Sequence, residues 1–502
     1  MRRNFSAAAI FIALFVALAL SGLLAAQEHP HYRLIDLGTL GGPHSYGSVN
    51  GQGFNLLNNT GQVASSADLT TPDPNLAFFP FNPDGYQSHA FRWSNAVMTD
   101  LGALPLNNNS TAGSINARGW ATGQSQSATI DPVLGFPEYR AVLWKDNQIL
   151  DLGTLPGGTE SIGIYVNNAG QVIGFSANSA ISDPIGFFGQ NHTFLWQNGE
   201  MLDIGTLGGN DTFAGAACSN PPAGVVVGGS STSSIINPNT GLPTVDPFLW
   251  HNGKMIDLGT IGGTNGYGQC ANSRLQIIGQ SSVAASPTAC NFPFVEAEDA
   301  APGCHATFWE NGVLTDLGTL GGDNSEAVWL NDAGVTVGSA DFPGPSGSQT
   351  HDAVAWINGK IRDLGTVPGD SCSRSRAVNS RGQIVGGSSD CHNFLHAFVW
   401  EEATGMVDLN TVIAPGSGYQ LTNAININDG GVILAKGAPL GFIPNDDADL
   451  GHLVLLVPCD PELEDCSAIL QPANLAASHS SAPTPRNGVA SWRKFIVRRS
   501  EP

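Results

Sequence analysis

Hydrophobic and polar positions alternate along this chain in short runs that keep stopping and restarting, and the stretch 193–209 shows the pattern best. Thr193 to Trp196 is a run of β-forming residues, Asn198-Gly199 interrupts it, and the apolar pattern resumes from Glu200 to Ile204. Asn-Gly supplies the positive φ angles of a type I′ turn, so the pattern predicts a β-hairpin. Thr206-Leu-Gly-Gly209 then breaks the second strand and starts a loop.

The same phrase returns along the chain. Its aspartate stands at Asp36, Asp100, Asp151, Asp203, Asp257, Asp316, Asp363 and Asp408, at intervals of 64, 51, 52, 54, 59, 47 and 45 residues by subtraction. A tryptophan lies seven residues before six of them, at Trp93, Trp144, Trp196, Trp250, Trp309 and Trp356. Trp400 is eight before Asp408, because 401–405 lengthens the turn. Each interval holds a second hairpin, clearest where 327–331, Asp332-Ala-Gly334 and 335–338 follow one another. Equivalent turns run from Asn116 to Gly119, Asn167 to Gly170 and Asn379 to Gly382. Asparagine there can bond its own backbone two residues on, and the glycine takes the left-handed position of a bulged turn. Each unit is therefore a four-strand meander: an Asn strand, a Val-Gly strand, a Phe-x-Trp strand and an Asp-Leu-Gly strand.

Four strands in roughly 40–50 residues are the signature of β-propeller blades. At the C-terminal side, strands at 424–428, 431–434 and 452–457 lack a following Asp-Leu-Gly strand, and at the N-terminal side 32–38 lacks the three before it. Joining them completes one blade and removes an open edge that would template aggregation. The expected fold is all-β: a propeller of eight four-stranded blades, closed by pairing the N- and C-terminal strands. Seven blades with a stray hairpin is the alternative, and an open β-solenoid the more distant one.

The repeated phrases resemble the HAF extracellular repeat, named for His-Ala-Phe. That tripeptide stands at His89-Ala90-Phe91 and His396-Ala397-Phe398, with variants at His192-Thr-Phe194 and His305-Ala-Thr307. Arg140, Asp246 and Asp352 replace the histidine in other units. The resemblance covers about 32–457 and implies a secreted, repeat-built bacterial protein; it brings no established activity and no catalytic residue.

Composition narrows the setting. Only 12% of residues are charged, and Gly is 62 of 502, which suits short strands with tight turns. Arg2 and Arg3 precede the apolar run 7–20, and Ala25-Ala26 offers a small-residue cleavage site, so 1–26 reads as a secretory signal. No later stretch is apolar enough to span a bilayer once the signal is removed. Removal takes away two arginines and no acid, so the net charge of −22 becomes −24. That charge argues against nucleic acid or an anionic membrane as partner. The propeller is expected over 27–457, followed at 458–502 by a disulfide loop and a disordered tail rich in Ala, Ser, Pro and Asn that ends in basic residues.

Eight cysteines in an exported chain suggest an oxidised framework. They pair as neighbours: Cys218 with Cys270, Cys290 with Cys304, Cys372 with Cys391 and Cys459 with Cys466. No CxxC pair occurs, so a metal site is weakly indicated. No cofactor is expected, and bound Ca²⁺ has no motif behind it.

A residue that recurs in every unit serves packing before chemistry. The tryptophans are expected between blade faces with their indole N–H groups bonded. The aspartates are expected to accept backbone N–H groups of their own loops, and the histidines to cap turns or pack. HExxH, GxSxG, Walker A and GxGxxG motifs are all missing. What varies is the loop between the second and third strands, long at 65–88, 125–139, 176–191 and 281–304. In a meander these loops share a face with the connections between units, opposite the Asn-Gly turns. On them, or near them, stand Phe79, Phe81, Tyr86, Phe136, Phe187, Phe188, Phe294 and Phe342. Aromatics gathered on one face suit sugar stacking or a protein hot spot. The expected function is that of a secreted, monomeric, non-enzymatic protein binding an extracellular polysaccharide or protein. The alternatives are a propeller enzyme acting on extracellular glycans, with two carboxylates as acid and base, and a structural surface scaffold.

Overall fold

The computed structural model describes residues 31–47, 55–73, 85–105, 109–132, 135–179, 189–216, 218–219, 221–237, 243–283, 290, 303–344, 350–440 and 451–459. The segments 1–26 and 460–502, and with them the expected signal and tail, lie outside these residues.

The described chain is built of β-strands in the order the repeat predicts. One unit consists of Ser110–Ile115, Ala121–Ile130, Pro137–Lys145 and Gln148–Asp151, each antiparallel to the next. Six separate sheets have four strands, and one eight-stranded sheet holds two such units joined by a single parallel pair, Val245 with Asn265. Serial four-stranded meanders of this kind are propeller blades. The first and last described strands share a sheet: His31–Asp36 pairs antiparallel with His452–Cys459, from His31 opposite Cys459 to Asp36 opposite Val454.

Local chemistry accounts for the turns. Asn198 and Gly199 have φ of 52° and 91°, the two positive angles of a type I′ turn. In the other hairpin, Asn58 accepts from the N–H of Thr60 at 3.0 Å and of Gln62 at 3.0 Å, while Gly61 takes φ of 78°. The Val-Gly glycine answers a different need. A Cβ on Gly174 would fall 2.0 Å from the carbonyl oxygen of Ile162 and 2.8 Å from the Phe194 ring. Gly174 is the register partner of Phe194, so the phenylalanine of the third strand lies across the glycine of the second. Gly386 and Phe398 repeat the arrangement. Both phenylalanines are fully buried.

The core runs between sheets rather than within one. A single cluster joins Ala306, Trp329, Trp356, Phe398, Leu421 and Leu456, residues of successive units. Trp93, Trp144, Trp250, Trp356 and Trp400 are buried, and Trp196 and Trp309 are half-buried. The expectation of a bonded indole N–H holds for one of them and fails for two. Trp356 donates to the Leu317 carbonyl at 2.9 Å, but the buried Nε1 atoms of Trp93 and Trp144 have no partner. Apolar packing alone holds those two rings.

Candidate functional site

Third strands start, and fourth strands end, on the face that carries the long loops, and recurrent polar residues gather there. Each repeat aspartate accepts the N–H two residues on: Gly38 on Asp36 at 2.8 Å, Gly102 on Asp100 at 2.7 Å, Gly153 on Asp151 at 2.8 Å and Gly205 on Asp203 at 2.8 Å. Gly259 does so on Asp257 at 2.7 Å, Gly318 on Asp316 at 2.8 Å, Gly365 on Asp363 at 2.8 Å and Asn410 on Asp408 at 2.9 Å. Those glycines have positive φ, from 70° at Gly102 to 80° at Gly153, which carries the chain out of the strand.

The histidine of the third strand faces the same carboxylate. His89 Nδ1 lies 3.0 Å from Asp100, His192 2.8 Å from Asp203 and His305 2.9 Å from Asp316. Against the upward push of burial, the histidine's hydrogen bond and charge hold Asp100, Asp203 and Asp316 below the ordinary carboxylate value. In the sheet shared by the termini, His452 is 2.9 Å from Asp36 and Tyr419 donates to the same carboxylate at 2.7 Å. His396 departs from the pattern and pairs with Asp370 at 2.9 Å. Asp408 instead caps the short 3₁₀ turn Leu409–Thr411.

Where aspartate replaces histidine, two carboxyl groups meet. Burial, together with the charge and hydrogen bond of Asp257, pushes Asp246 up to about 6, and burial with Asp363 pushes Asp352 up to about 7. Arg140 turns from Asp151 to Glu138, 2.9 Å away. Beside it Glu160 is fully buried; its Oε2 accepts the Tyr139 N–H, while its Oε1 has no partner. Burial pushes Glu160 up to about 8, with Asp131 and Glu138 adding to the rise and the Tyr139 N–H opposing it.

A serine seam that sequence reasoning missed fastens several units to the ones before them. Ser110 Oγ accepts the Ala90 N–H at 2.9 Å and donates to the Gly102 carbonyl at 2.8 Å. Ser161, Ser325 and Ser373 do the same for Ala141, Ala306 and Ala353. On the opposite face the turn asparagines bond from unit to unit. Asn58 donates to the Asn116 carbonyl at 2.9 Å, Asn116 to Asn167 at 2.9 Å, Asn272 to Asn331 at 3.1 Å, Asn331 to Asn379 at 2.9 Å and Asn379 to Asn428 at 3.0 Å. Asn428 then donates to the carbonyl of Asn58 at 3.2 Å, across a sequence gap of 370.

Disulfides join Cys218 to Cys270, Cys290 to Cys304 and Cys372 to Cys391, with Cα atoms 5.6, 5.4 and 4.9 Å apart. Cys459 is disulfide-bonded, and Cys466 lies outside the described residues. Among the described residues no group of three or more His, Cys, Asp or Glu side chains is placed to hold a metal ion.

The aromatic residues expected to bind divide. Phe136 is a correction: it is 3% exposed and packs on Tyr139 with ring centroids 5.8 Å apart. Burial takes its ring off the surface that a ligand would meet. Tyr86 and Phe342 are half-buried at loop ends. Phe79, Phe81, Phe187, Phe188 and Phe294 lie outside the described residues.

No family model and no curated protein sequence matches the chain. Among solved structures it is similar to an acylaminoacyl peptidase of Pyrococcus horikoshii (TM-score 0.40, 9% identity, 75% of this chain and 52% of that one). It is also similar to the β-propeller domain of the Trilobed protease from Pyrococcus furiosus (TM-score 0.38, 10% identity, 76% of this chain and 98% of that one). A puromycin-hydrolyzing peptidase of Mycobacterium tuberculosis matches with TM-score 0.41 and 10% identity over 86% of this chain and 55% of that one. The chain spans about half the length of the two peptidases. Likenesses this loose say nothing of what the chain does.

Proposed function

We propose that this chain is a secreted HAF-repeat protein whose units form a closed, eight-bladed propeller, and that it binds an extracellular polysaccharide or protein through its loop-bearing face without catalysing a reaction. Closure is supported by the pairing of the two termini and by the bond from Asn428 to Asn58. One observation carries the functional reading: the recurrent polar side chains are engaged in holding the frame. The repeat aspartates bind backbone N–H groups, the serines bind the preceding unit and the asparagines bind the next. The high-pKa Glu160 is fully buried, out of a substrate's reach. Chemistry that differs from unit to unit is therefore left to the loops between second and third strands, where Tyr86, Phe342 and the loop phenylalanines Phe79, Phe81, Phe187, Phe188 and Phe294 stand. Fold alone does not choose a function.

The test is a glycan-array screen of residues 27–502, with and without calcium, with product analysis of every hit. Binding without turnover, lost when Tyr86 and Phe342 or Phe187 and Phe188 become alanine, is the expected result. Turnover of a bound glycan would overturn the non-enzymatic reading. Silence on the array moves the search to protein partners by cross-linking in the native secretion medium.

A further inference from the structure

Two units differ from the others at one point in the frame. In the strand Pro243–His251, Asp246 occupies the place of the repeat histidine, two residues before Phe248, the register partner of Asp257 in Lys254–Asp257, and its carboxyl group is hydrogen-bonded to that of Asp257. In His351–Ile357, Asp352 does so, two residues before Val354, the register partner of Asp363 in Lys360–Asp363, and its carboxyl group is hydrogen-bonded to that of Asp363. The same two positions hold His and Asp within 2.8–3.0 Å in the units of His89, His192 and His305, so the backbone sets these side chains at hydrogen-bonding distance. Two carboxyl groups so placed resist joint ionisation and are held together by one shared proton.

We propose that Asp246–Asp257 and Asp352–Asp363 are proton-held latches: a shared proton fastens the short fourth strand of each unit to its third strand, and loss of that proton loosens both.

Among the described residues, the charged groups around the pairs are otherwise engaged. Across the sheet Asp246 meets Ser230, and Asp352 meets Ala340. His251 and Lys254 pair with each other at the far end of their hairpin, as Lys360 does with Ile357. Arg374 donates to His351 at 2.9 Å, and its charge acts on Asp341. Arg362 is bound to Glu402 and lies 4.7 Å above the Trp400 ring. Asp341, on the strand beside Asp352, is held by Asn324. The charge acting on Asp246 is that of Asp257, and on Asp352 that of Asp363. The fourth strands are four residues long, with few backbone bonds to resist the repulsion of two ionised carboxylates.

Hydrogen exchange read by mass spectrometry tests the latches in the whole chain, from about pH 5 to about pH 8, after correction for the intrinsic rate. Protection of Lys254–Asp257 and Lys360–Asp363 is expected to fall about tenfold or more across that range, a factor of ten per unit of pKa shift. The strands Glu200–Asp203 and Val313–Asp316, with their His–Asp pairs, are internal controls and keep their protection. Asp246→Asn with Asp352→Asn replaces the shared proton by a fixed amide donor and makes all four strands alike. Equal loss in all four strands of the natural chain would overturn the latches, and so would an undiminished loss in the asparagine variant. Restoration at alkaline pH by calcium chloride, in the natural chain only, would also overturn them by assigning the pairs to a cation. Should the asparagine variant fail to fold, Asp246→His with Asp352→His builds the pairing that three units already contain and is read in the same way.

Discussion

The unit ending at Asp203 and the unit ending at Asp363 use one backbone for opposite electrostatics. In both, the aspartate accepts a glycine N–H at 2.8 Å two residues on, and the strand ends at the same point of the meander. In the first, His192 lies 2.8 Å from that carboxylate; in the second, Asp352 stands in its place. The backbone amide therefore places the aspartate, and the residue across from it sets the charge state of the pair. A repeat can change chemistry at one position while its frame stays fixed, because the bond from the aspartate to the N–H of its own loop is kept. The sheet shared by the termini adds a third case. Asp36 is 8% exposed at its side chain, against 40% for Asp203, and it serves His452 and Tyr419 together.

That contrast can be broken or sharpened by substitution. The largest effect on stability is expected for Asp36→Ala, which strips a buried acceptor from His452, Tyr419 and Gly38 and costs about 3–4 kcal/mol in urea unfolding. Asp203→Ala, at its exposed site, is expected to cost at most about 1.5 kcal/mol; equal losses would erase the distinction. Asp352→His comes next. Because folding raises Asp352 from its ordinary value to about 7, the natural chain loses stability as pH rises from about 4 to about 7. The variant is expected to lose that slope and gain about 1–2 kcal/mol at about pH 8, discounted for the exposure of Asp363. A retained slope would place its origin elsewhere.

Asp203→Asn runs the other way. Asp203 is lowered on folding, so its contribution is present above the ordinary carboxylate value and disappears as pH falls through the folded value. The variant is expected to be weaker by about 0.5–1 kcal/mol near neutrality, and the gap closes in acid, as followed by melts down to about pH 3. The smallest stability effect, under about 1 kcal/mol, is expected for Tyr86→Ala at its half-buried loop end. Its consequence is read on ligand binding.

The frame was legible because its signals are local. Asn-Gly, the Asn-x-x-Gly turn and Asp-Leu-Gly each require backbone angles that few other residues adopt, so spacing alone gave the strand order and the pairing of the ends. Three cysteine pairs followed from the same register. The His–Asp pairing was present as a spacing of eleven, at 89/100, 192/203 and 305/316, yet strand alternation by itself does not say that the two side chains meet. The serine seam was illegible for another reason. Serine is abundant, and the partners of Ser110 and Ser161 lie in the preceding unit, where no local pattern announces them. Phe136 failed because an aromatic residue in a variable loop has the same sequence signature whether it meets solvent or roofs a small core.

The antiparallel pairing of His31–Asp36 with His452–Cys459 also sets the order of events during folding. It joins Asp36 to His452 across 416 positions, so the entropy of closing nearly the whole chain is spent before this contact returns anything. Every other unit can form from neighbouring residues as the chain emerges. The earliest strand, by contrast, waits for the latest, and meanwhile the sheet it belongs to presents an unpaired edge. Closing it is therefore expected to be the slow step of refolding, and the interval before it is when association of the chain with copies of itself is expected to be greatest.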